Sequence, residues 1–167
     1  MARTLLVKDL MTAPVVTLHV GNTLADAERT MRKAQVRHLP VTDGTGKLVG
    51  LVTHRTLLAA WVGHGDPKHE RHDEVARDVP VEMLMQRNLV VIRPEQPAAQ
   101  AARLLEEQLI GCLPVVGEDA QILGILTETD FVRFARIYLE HTGTSRSGSM
   151  PPPETTPPPP PAAGRAS

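Results

Sequence analysis

Two periodicities of apolar positions alternate along the chain, one typical of helices and one of strands. Leu24, Ala27, Met31 and Ala34 recur at the spacing of one helix face, and Thr23 precedes them as a candidate N-cap. Elsewhere β-branched and other apolar residues run together in segments of about five, a pattern that is typical of strands. The first half of the chain therefore predicts three helices (7–11, 24–34 and 56–62), three strands (15–20, 38–42 and 48–52) and a hairpin turn at Asp43-Gly44-Thr45-Gly46.

The second half of the chain predicts the same order of elements. These are a short helix at 81–85, a strand at 89–92, a helix at 97–108 with Pro97 as its first residue, a strand at 112–116, a turn at 117–120, a strand at 122–126 and a helix at 129–140. Each half is thus a β-α-β-β-α unit, and the predicted fold class is α/β.

The two units are copies of one pattern, 74 residues apart and without a gap. Leu39-Pro40-Val41 returns as Leu113-Pro114-Val115, Gly50 as Gly124, Thr53 as Thr127, and Leu10-Met11 as Leu84-Met85. A unit of about fifty residues buries too little surface to be stable alone, so we expect the two to pack together with pseudo-twofold symmetry. Any binding site is expected at the seam between them.

Composition narrows the possible functions. A net charge of −1 and 2% aromatic residues argue against a nucleic-acid binder, which needs a basic surface or base-stacking rings. The single cysteine, Cys112, excludes an intramolecular disulfide and a Cys-rich zinc site. No signal peptide is recognisable, and no segment approaches the roughly 20 apolar residues of a membrane span. We therefore expect a cytoplasmic protein without membrane insertion.

Two segments lie outside the repeat. Residues 63–80 are polar, and within them His69 and His72 could meet on one helical face beside His64. The composition favours a mobile loop over a metal site. Residues 141–167 are rich in Gly, Ser, Thr and Pro and include five consecutive prolines, Pro157–Pro161. They predict a disordered tail of polyproline II character, which is either a solvated extension or a ligand for a proline-binding groove.

The ordered set of motifs resembles a known family. A Leu-Met pair opens each unit, a Leu-Pro-Val strand follows, and a Gly-φ-φ-Thr-x-x-Asp segment (φ apolar) closes the second unit. Together they resemble a tandem pair of cystathionine-β-synthase-type (CBS) domains, a Bateman module, over roughly residues 5–140. We therefore predict one CBS motif at 5–62 (copy one), a linker at 63–80, a second CBS motif at 81–140 (copy two) and the Pro-rich tail at 141–167.

The resemblance implies a ligand and a geometry. Two pseudo-symmetric clefts lie between the copies and take adenosine-type regulatory ligands such as AMP, ADP, ATP or S-adenosylmethionine, with no cofactor required. Asp130 would accept hydrogen bonds from both ribose hydroxyls, Thr127 would contact phosphate, and Arg37 and His38 of the opposite copy would face the phosphates. Residues that enter the opposite copy's first strand would line the adenine. The implied nucleotide-binding set is Thr12, Val16, Arg37, His38, Thr127, Thr129 and Asp130.

The copies differ at the residues that the resemblance makes functional. Copy one has Thr56 where copy two has Asp130. Copy one carries Arg37-His38 before its Leu-Pro-Val strand, whereas copy two has the uncharged Gly111-Cys112. The cleft that uses Asp130 is also the one that borrows Arg37 and His38. We therefore predict one competent cleft, the Asp130 cleft, and one degenerate cleft, the Thr56 cleft.

Structural explanations stand beside these assignments. Asp130 could favour the dipole of the last helix from its first turn, and Thr127 could cap that helix. Arg37 could be a solvated charge, and His38 could be half buried and satisfied locally. We interpret the Leu-Met pairs as packing residues and Cys112 as a small buried apolar residue.

The favoured function is a stand-alone regulatory module that senses an adenine nucleotide and modulates a partner protein. A homodimer is expected, with helices 24–34 and 97–108 offering surface for it. The alternative is a dimerisation or interaction module without a physiological nucleotide, which the loss of an acidic residue at position 56 favours for one cleft. We predict no enzyme activity, because the sequence shows neither a nucleophile–base pair nor a Gly-rich phosphate loop.

Overall fold

The computed structural model describes residues 4–63 and 78–143. Most of the predicted linker and tail, including the linker histidines, lie outside the described residues. Copy one contains α1 (Val7–Leu10), β1 (Leu18–His19), α2 (Leu24–Ala34), β2 (His38–Thr42), β3 (Leu48–Thr53) and α3 (His54–Gly63). Copy two contains α4 (Val81–Leu84), α5 (Ala98–Gln108), β4 (Cys112–Val116), a 3₁₀ turn (Glu118–Ala120), β5 (Ile122–Thr127) and α6 (Glu128–Gly143).

The helix signals in the sequence correspond closely to the observed helices. Thr23 caps α2: its side chain accepts a hydrogen bond from the Asp26 amide, while the Asp26 carboxylate accepts one from the Thr23 amide. The pattern predicted Pro97 as the first helical residue of α5, but Pro97 is the N-cap and the helix begins at Ala98. Both α2 and α5 end at a residue in the left-handed conformation, Gln35 and Leu109.

Each copy is built around one antiparallel hairpin. β2 pairs with β3 from His38 to Thr42, and β4 pairs with β5 in the matching register. The predicted Asp-Gly turn is held by Asp43, whose Oδ1 accepts hydrogen bonds from the backbone amides of Thr45 (2.8 Å) and Lys47 (3.0 Å). The hairpins present fully buried leucines, Leu39 and Leu113, to two separate cores.

The first strand of each copy is shorter than its pattern predicted. Of the segment 15–20, only Leu18–His19 forms a strand, which pairs in parallel with β2. The predicted strand 89–92 is reduced to a single bridge between Ile92 and Val115. The reason is that Val15 and Leu89 pack at the seam against Leu51, Cys112 and Ile125, so these apolar positions are partly buried without a ladder partner.

The short leading helices are exchanged between the copies. Val7 of α1 belongs by sequence to copy one but is buried in the core of copy two, beside Ile92 and Leu113. Val81 of α4 is buried reciprocally in the core of copy one. The exchange is fixed by matching backbone bonds, in which Val7 N donates to Gln96 O and, 74 residues later, Val81 N donates to the Asn22 carbonyl.

The seam itself repeats about a pseudo-twofold axis. Thr12 exchanges two backbone hydrogen bonds with Ile125, and their counterparts Gln86 and Leu51 do the same. Lys47 bridges Gln121, its own counterpart, so this pair lies at the axis. The predicted α/β fold of two packed copies with pseudo-twofold symmetry is therefore confirmed.

Glycine is needed where the leading Leu-Met pairs cross the seam. A Cβ on Gly50 would overlap the Met85 side chain, and one on Gly124 would lie 2.9 Å from both Met11 Sδ and the Thr12 carbonyl oxygen. Met85 is buried and Met11 partly buried. The methionines are therefore packing residues, as interpreted, and each packs against the opposite copy.

Candidate functional site

A cleft of about 440 Å³ opens between the two copies. Copy one contributes the end of α2 and the start of β2, and copy two contributes the end of β5 and the first turns of α6. Its lining residues are Thr12, Gln35, Val36, Arg37, His38, Gly111, Ile125, Thr127, Glu128, Thr129, Asp130 and Arg133. The cleft is thus assembled from residues that are far apart in the sequence but adjacent across the seam.

Six of the seven predicted site residues line this cleft: Thr12, Arg37, His38, Thr127, Thr129 and Asp130. Val16 is not among the lining residues, and 43% of its surface is exposed. Neighbouring side chains of an extended segment point in opposite directions, and here Val15 is the one that packs inward at the seam. The structure therefore brings together the predicted set except for Val16, while the function of each residue in binding stays a prediction.

Asp130 is the buried charge of the cleft, with 5% of its surface exposed. It occupies the first turn of α6, three residues after Thr127. Its Oδ2 accepts hydrogen bonds from the Thr127 amide (2.8 Å) and the Thr127 hydroxyl (2.7 Å). The local structural explanation, in which Asp130 and Thr127 stabilise the start of the helix, is therefore realised for one carboxylate oxygen.

The other oxygen of Asp130 faces side chains of both copies. Oδ1 accepts a long hydrogen bond from the Thr12 hydroxyl of copy one (3.3 Å) and an ion-paired one from Arg133 Nη1 (3.2 Å). Thr12 is held there by its two backbone bonds to Ile125. Asp130 thus has one oxygen committed to the helix and one at the seam, where a hydroxyl-bearing ligand could reach it.

Arg37 and His38 form the opposite wall, at the start of β2. The Arg37 carbonyl is fixed by the His54 amide (2.8 Å), and the Arg37 side chain is exposed. His38 is half-buried; burial lowers the pKa of its imidazole, the Arg37 charge lowers it further, and the Glu128 carboxylate opposes both. At neutral pH the wall therefore presents one permanent cation, Arg37, beside a neutral imidazole.

The sequence reasoning missed several lining residues, of which Glu128 and Arg133 carry charge. Arg133 could have been found by extending the comparison of the copies one helical turn beyond Asp130, because its counterpart is Ala59. The Gly111 position also has a spatial reason. A Cβ there would lie 3.1 Å from His38 Nε2, so a larger residue at 111 would press on the imidazole.

The Thr56 cleft has uncharged residues at the counterparts of Asp130, Arg37 and Arg133, while Arg55 stands at the counterpart of Thr129. The Thr56 amide donates to Thr53 Oγ1 (3.1 Å), and the two hydroxyls are 2.9 Å apart. This turn therefore starts α3 without a carboxylate. Cys112, the counterpart of His38, is buried, and burial raises the pKa of its thiol to about 12, so the thiol is neutral and packs as a small apolar side chain, as interpreted.

The described residues, 4–63 and 78–143, contain no group of three or more His, Cys, Asp or Glu side chains placed to hold a metal ion. No helix in these ranges is both long and apolar enough to cross a membrane.

The chain matches the family model of the CBS domain twice, over residues 7–63 and 76–136. Among curated proteins, it is 30% identical to homoserine O-acetyltransferase of Methanohalobium evestigatum over 127 residues. That match covers 76% of this chain but 23% of the enzyme. The similarity is thus confined to a minor part of the longer protein.

Two solved structures similar to this chain contain adenosine compounds. The CBS domain pair of protein MJ0100, in complex with 5′-methylthioadenosine and S-adenosyl-L-methionine, superposes with a TM-score of 0.70 and 26% identity, covering 81% of this chain and 99% of that one. CBSX2 in complex with AMP superposes with a TM-score of 0.67 and 30% identity, covering 80% and 98%. Both complexes contain an adenosine moiety, with a phosphate in only one of them.

Proposed function

The chain belongs to the CBS domain family, and we propose that it is a regulatory module that binds one adenosine-type ligand in the Asp130 cleft and modulates a partner protein. The observation that carries the proposal is a buried carboxylate with one oxygen directed at the seam. Asp130 Oδ2 is saturated by Thr127, whereas Oδ1 is held by two side chains that can give way. A ribose diol supplies two hydroxyl donors that suit this oxygen.

The proposed ligand class is supported by what two similar structures share. The MJ0100 and CBSX2 complexes have the adenosine moiety in common. In this chain Asp130 would bind the ribose, Thr127 and Thr129 would line the same side, and Arg37 with His38 would lie opposite. The family is generally regulatory, and we propose that this chain has no catalytic activity of its own.

Regulation would act through the seam. The cleft takes its lining from both copies, so a bound ligand bridges them and favours the packing in which Thr12 and Arg37 face Asp130. A ligand shifts such an equilibrium by its difference in affinity for the two packings. We propose that the partner protein responds to this shift.

Thermal melting with and without ligand tests the proposal. AMP, ATP, S-adenosylmethionine or 5′-methylthioadenosine at about 100 times its dissociation constant will stabilise the protein by about 2.7 kcal/mol. Guanosine monophosphate serves as the control, because it has the same ribose phosphate on a different base. If none of the adenosine ligands raises the melting temperature, the protein is an interaction module without a nucleotide.

The alternative function, an interaction module without a nucleotide, is supported by two matching surface grooves between helices. One groove, of about 570 Å³ between α5 and α6, is lined by Ala102, Leu105, Leu109, Ile110 and Phe131 among others. The other lies between α2 and α3 at the counterpart positions 28, 31, 32, 35, 36, 37, 54 and 57. The first groove is mostly apolar, whereas the second also carries Glu28, Arg32, Arg37 and His54. We propose a homodimer through this face, with apolar and charged contacts together, whether or not a ligand binds.

Leu109→Asn tests the homodimer. Leu109 is 92% exposed and left-handed in backbone conformation, which asparagine also adopts readily, so the fold will be retained. Loss of one buried leucine will weaken dimerisation about tenfold or more. Sedimentation velocity across a dilution series measures this, with Met83→Asn as the control at another exposed apolar position. A parent protein that is monomeric at every concentration contradicts the proposed dimer.

A further inference from the structure

Arg133 is bonded to the oxygen of Asp130 that a ligand hydroxyl would reach. Its Nη1 lies 3.2 Å from Asp130 Oδ1, and 60% of the arginine side chain is exposed. The second oxygen, Oδ2, is already committed to Thr127. A ribose hydroxyl that bonds to Asp130 therefore meets Oδ1, where it competes with Arg133 and with the weaker contact from Thr12.

The arginine can be displaced without leaving the cleft. Arg133 is largely exposed but Asp130 is buried, so release of this ion pair is offset only because ribose hydroxyls take the place of Arg133 as donors to Oδ1. Arg133 is attached one helical turn after Asp130 and lines the same cleft. Once free, its guanidinium can bind a phosphate group with two parallel hydrogen bonds, a geometry that a carboxylate and a phosphate share.

Arginine side chains are the groups in the cleft that are able to bind a phosphate as permanent cations. His38 is neutral at neutral pH for the reasons given above, and Glu128 is a negative charge on the same lining. Arg37 and Arg133 are then the permanent cations among the lining residues. A phosphate near Glu128 needs both of them to outweigh the repulsion.

The comparison of the copies places Arg133 with the functional set. Its counterpart is Ala59, just as Asp130 corresponds to Thr56 and Arg37 to Gly111. The Thr56 cleft therefore lacks counterparts of the carboxylate and of both arginines, although it has Arg55 where copy two has Thr129. The joint loss of Asp130, Arg37 and Arg133 is what a shared ligand explains and a purely structural ion pair does not.

We propose that Arg133 determines ligand specificity: it pairs with Asp130 in the free protein and passes to the ligand phosphate when ribose takes Asp130. The site then selects adenosine ligands that carry a phosphate, such as AMP, over adenosine and sulfonium or thioether adenosines. The inference rests on the proposed function, because it concerns the same cleft.

Calorimetric titration of AMP and adenosine into the parent protein and Arg133→Gln tests it. The parent will bind AMP more tightly than adenosine. Arg133→Gln will weaken AMP about tenfold or more, by loss of a charge-assisted pair, and will leave adenosine unchanged or tighter because Asp130 is freed. Arg136→Gln is the matched control: it lies on the same helix, carries the same charge and pairs with Glu140 at an exposed surface (2.8 Å).

The outcomes separate this inference from the proposed function. A parent that binds neither compound overturns both. A parent that binds AMP, with Arg133→Gln weakening AMP and adenosine by the same factor, reduces Arg133 to a structural support of the helix and overturns the inference alone. Unchanged AMP affinity in Arg133→Gln, or an equal loss in Arg136→Gln, overturns it as well.

Discussion

Asp130→Asn will weaken the affinity for adenosine ligands by about 100-fold or more. Asparagine is close in size and keeps one oxygen for the Thr127 amide, so α6 will still begin at the same place. It replaces the seam-facing Oδ1 by an NH2 group, which cannot accept the hydrogen bonds that the ribose hydroxyls donate. A charge-assisted hydrogen bond is about twice as strong as a neutral one, and losing two of them accounts for a change of this size.

The matched control is Thr56→Asn, the same new residue at the counterpart position. Thr56 interacts locally with Thr53, so its replacement will alter the start of α3 but leave ligand affinity unchanged. Calorimetric titration of AMP measures both variants, and circular dichroism of the free proteins checks that each is folded. Equal affinity in the parent and Asp130→Asn, or a loss in Thr56→Asn alone, contradicts the one-site assignment.

Val7→Asp will destabilise the protein by at least about 3 kcal/mol, although it lies close to the N-terminus of the chain. Val7 is 0% exposed, and it packs with Ile92, Leu113 and Leu126 of copy two. A carboxylate there has no partner and cannot reach water, and an unpaired buried charge costs about 3–5 kcal/mol. Domains have about 5–15 kcal/mol of total stability, so this is a large part of it.

Lys8→Asp is the control, because it introduces the same side chain at the next, exposed position. Urea unfolding measures the free energy of each variant. Amide hydrogen exchange of β4 and β5 then shows which core is affected: the amides of copy two will exchange faster, because α1 packs onto that copy. Equal stability of the two variants contradicts the burial of α1 in the core of copy two.

The local sequence pattern predicted the individual elements well where a turn or a cap is formed by residues close together in the chain. Thr23 and Asp26 form their capping pair within four residues of chain, and Asp43 folds back on the next few amides. Such interactions depend on short sequence separations, so the Thr23 cap and the Asp-Gly turn could be predicted from the sequence. The first strands were overestimated for the same reason: an apolar segment such as 15–20 predicts burial, but the partner that buries it is chosen elsewhere.

The resemblance to the CBS family supplied the candidate site residues, and the differences between the two copies indicate which cleft keeps them. The difference between Asp130 and Thr56 is visible without coordinates, and so is that between Arg37 and Gly111. Arg133 was overlooked because it lies beyond the recognisable motif, and Val16 was included although the neighbouring Val15 takes the inward position. Which side chains converge on Asp130 is set by contacts such as Thr12 Oγ1 to Asp130, 118 residues apart.

By itself, the sequence determined the two-copy plan, the order of helices and strands within each copy, and the unequal chemistry of the two clefts. Periodicity and short-range capping encode the first two, and direct comparison of equivalent residues reveals the third. The tertiary structure alone decided that α1 and α4 change places across the seam, that one oxygen of Asp130 faces the opposite copy, and that Arg133 holds it. These are contacts between distant residues, fixed by how buried surfaces fit together, and no local pattern specifies them.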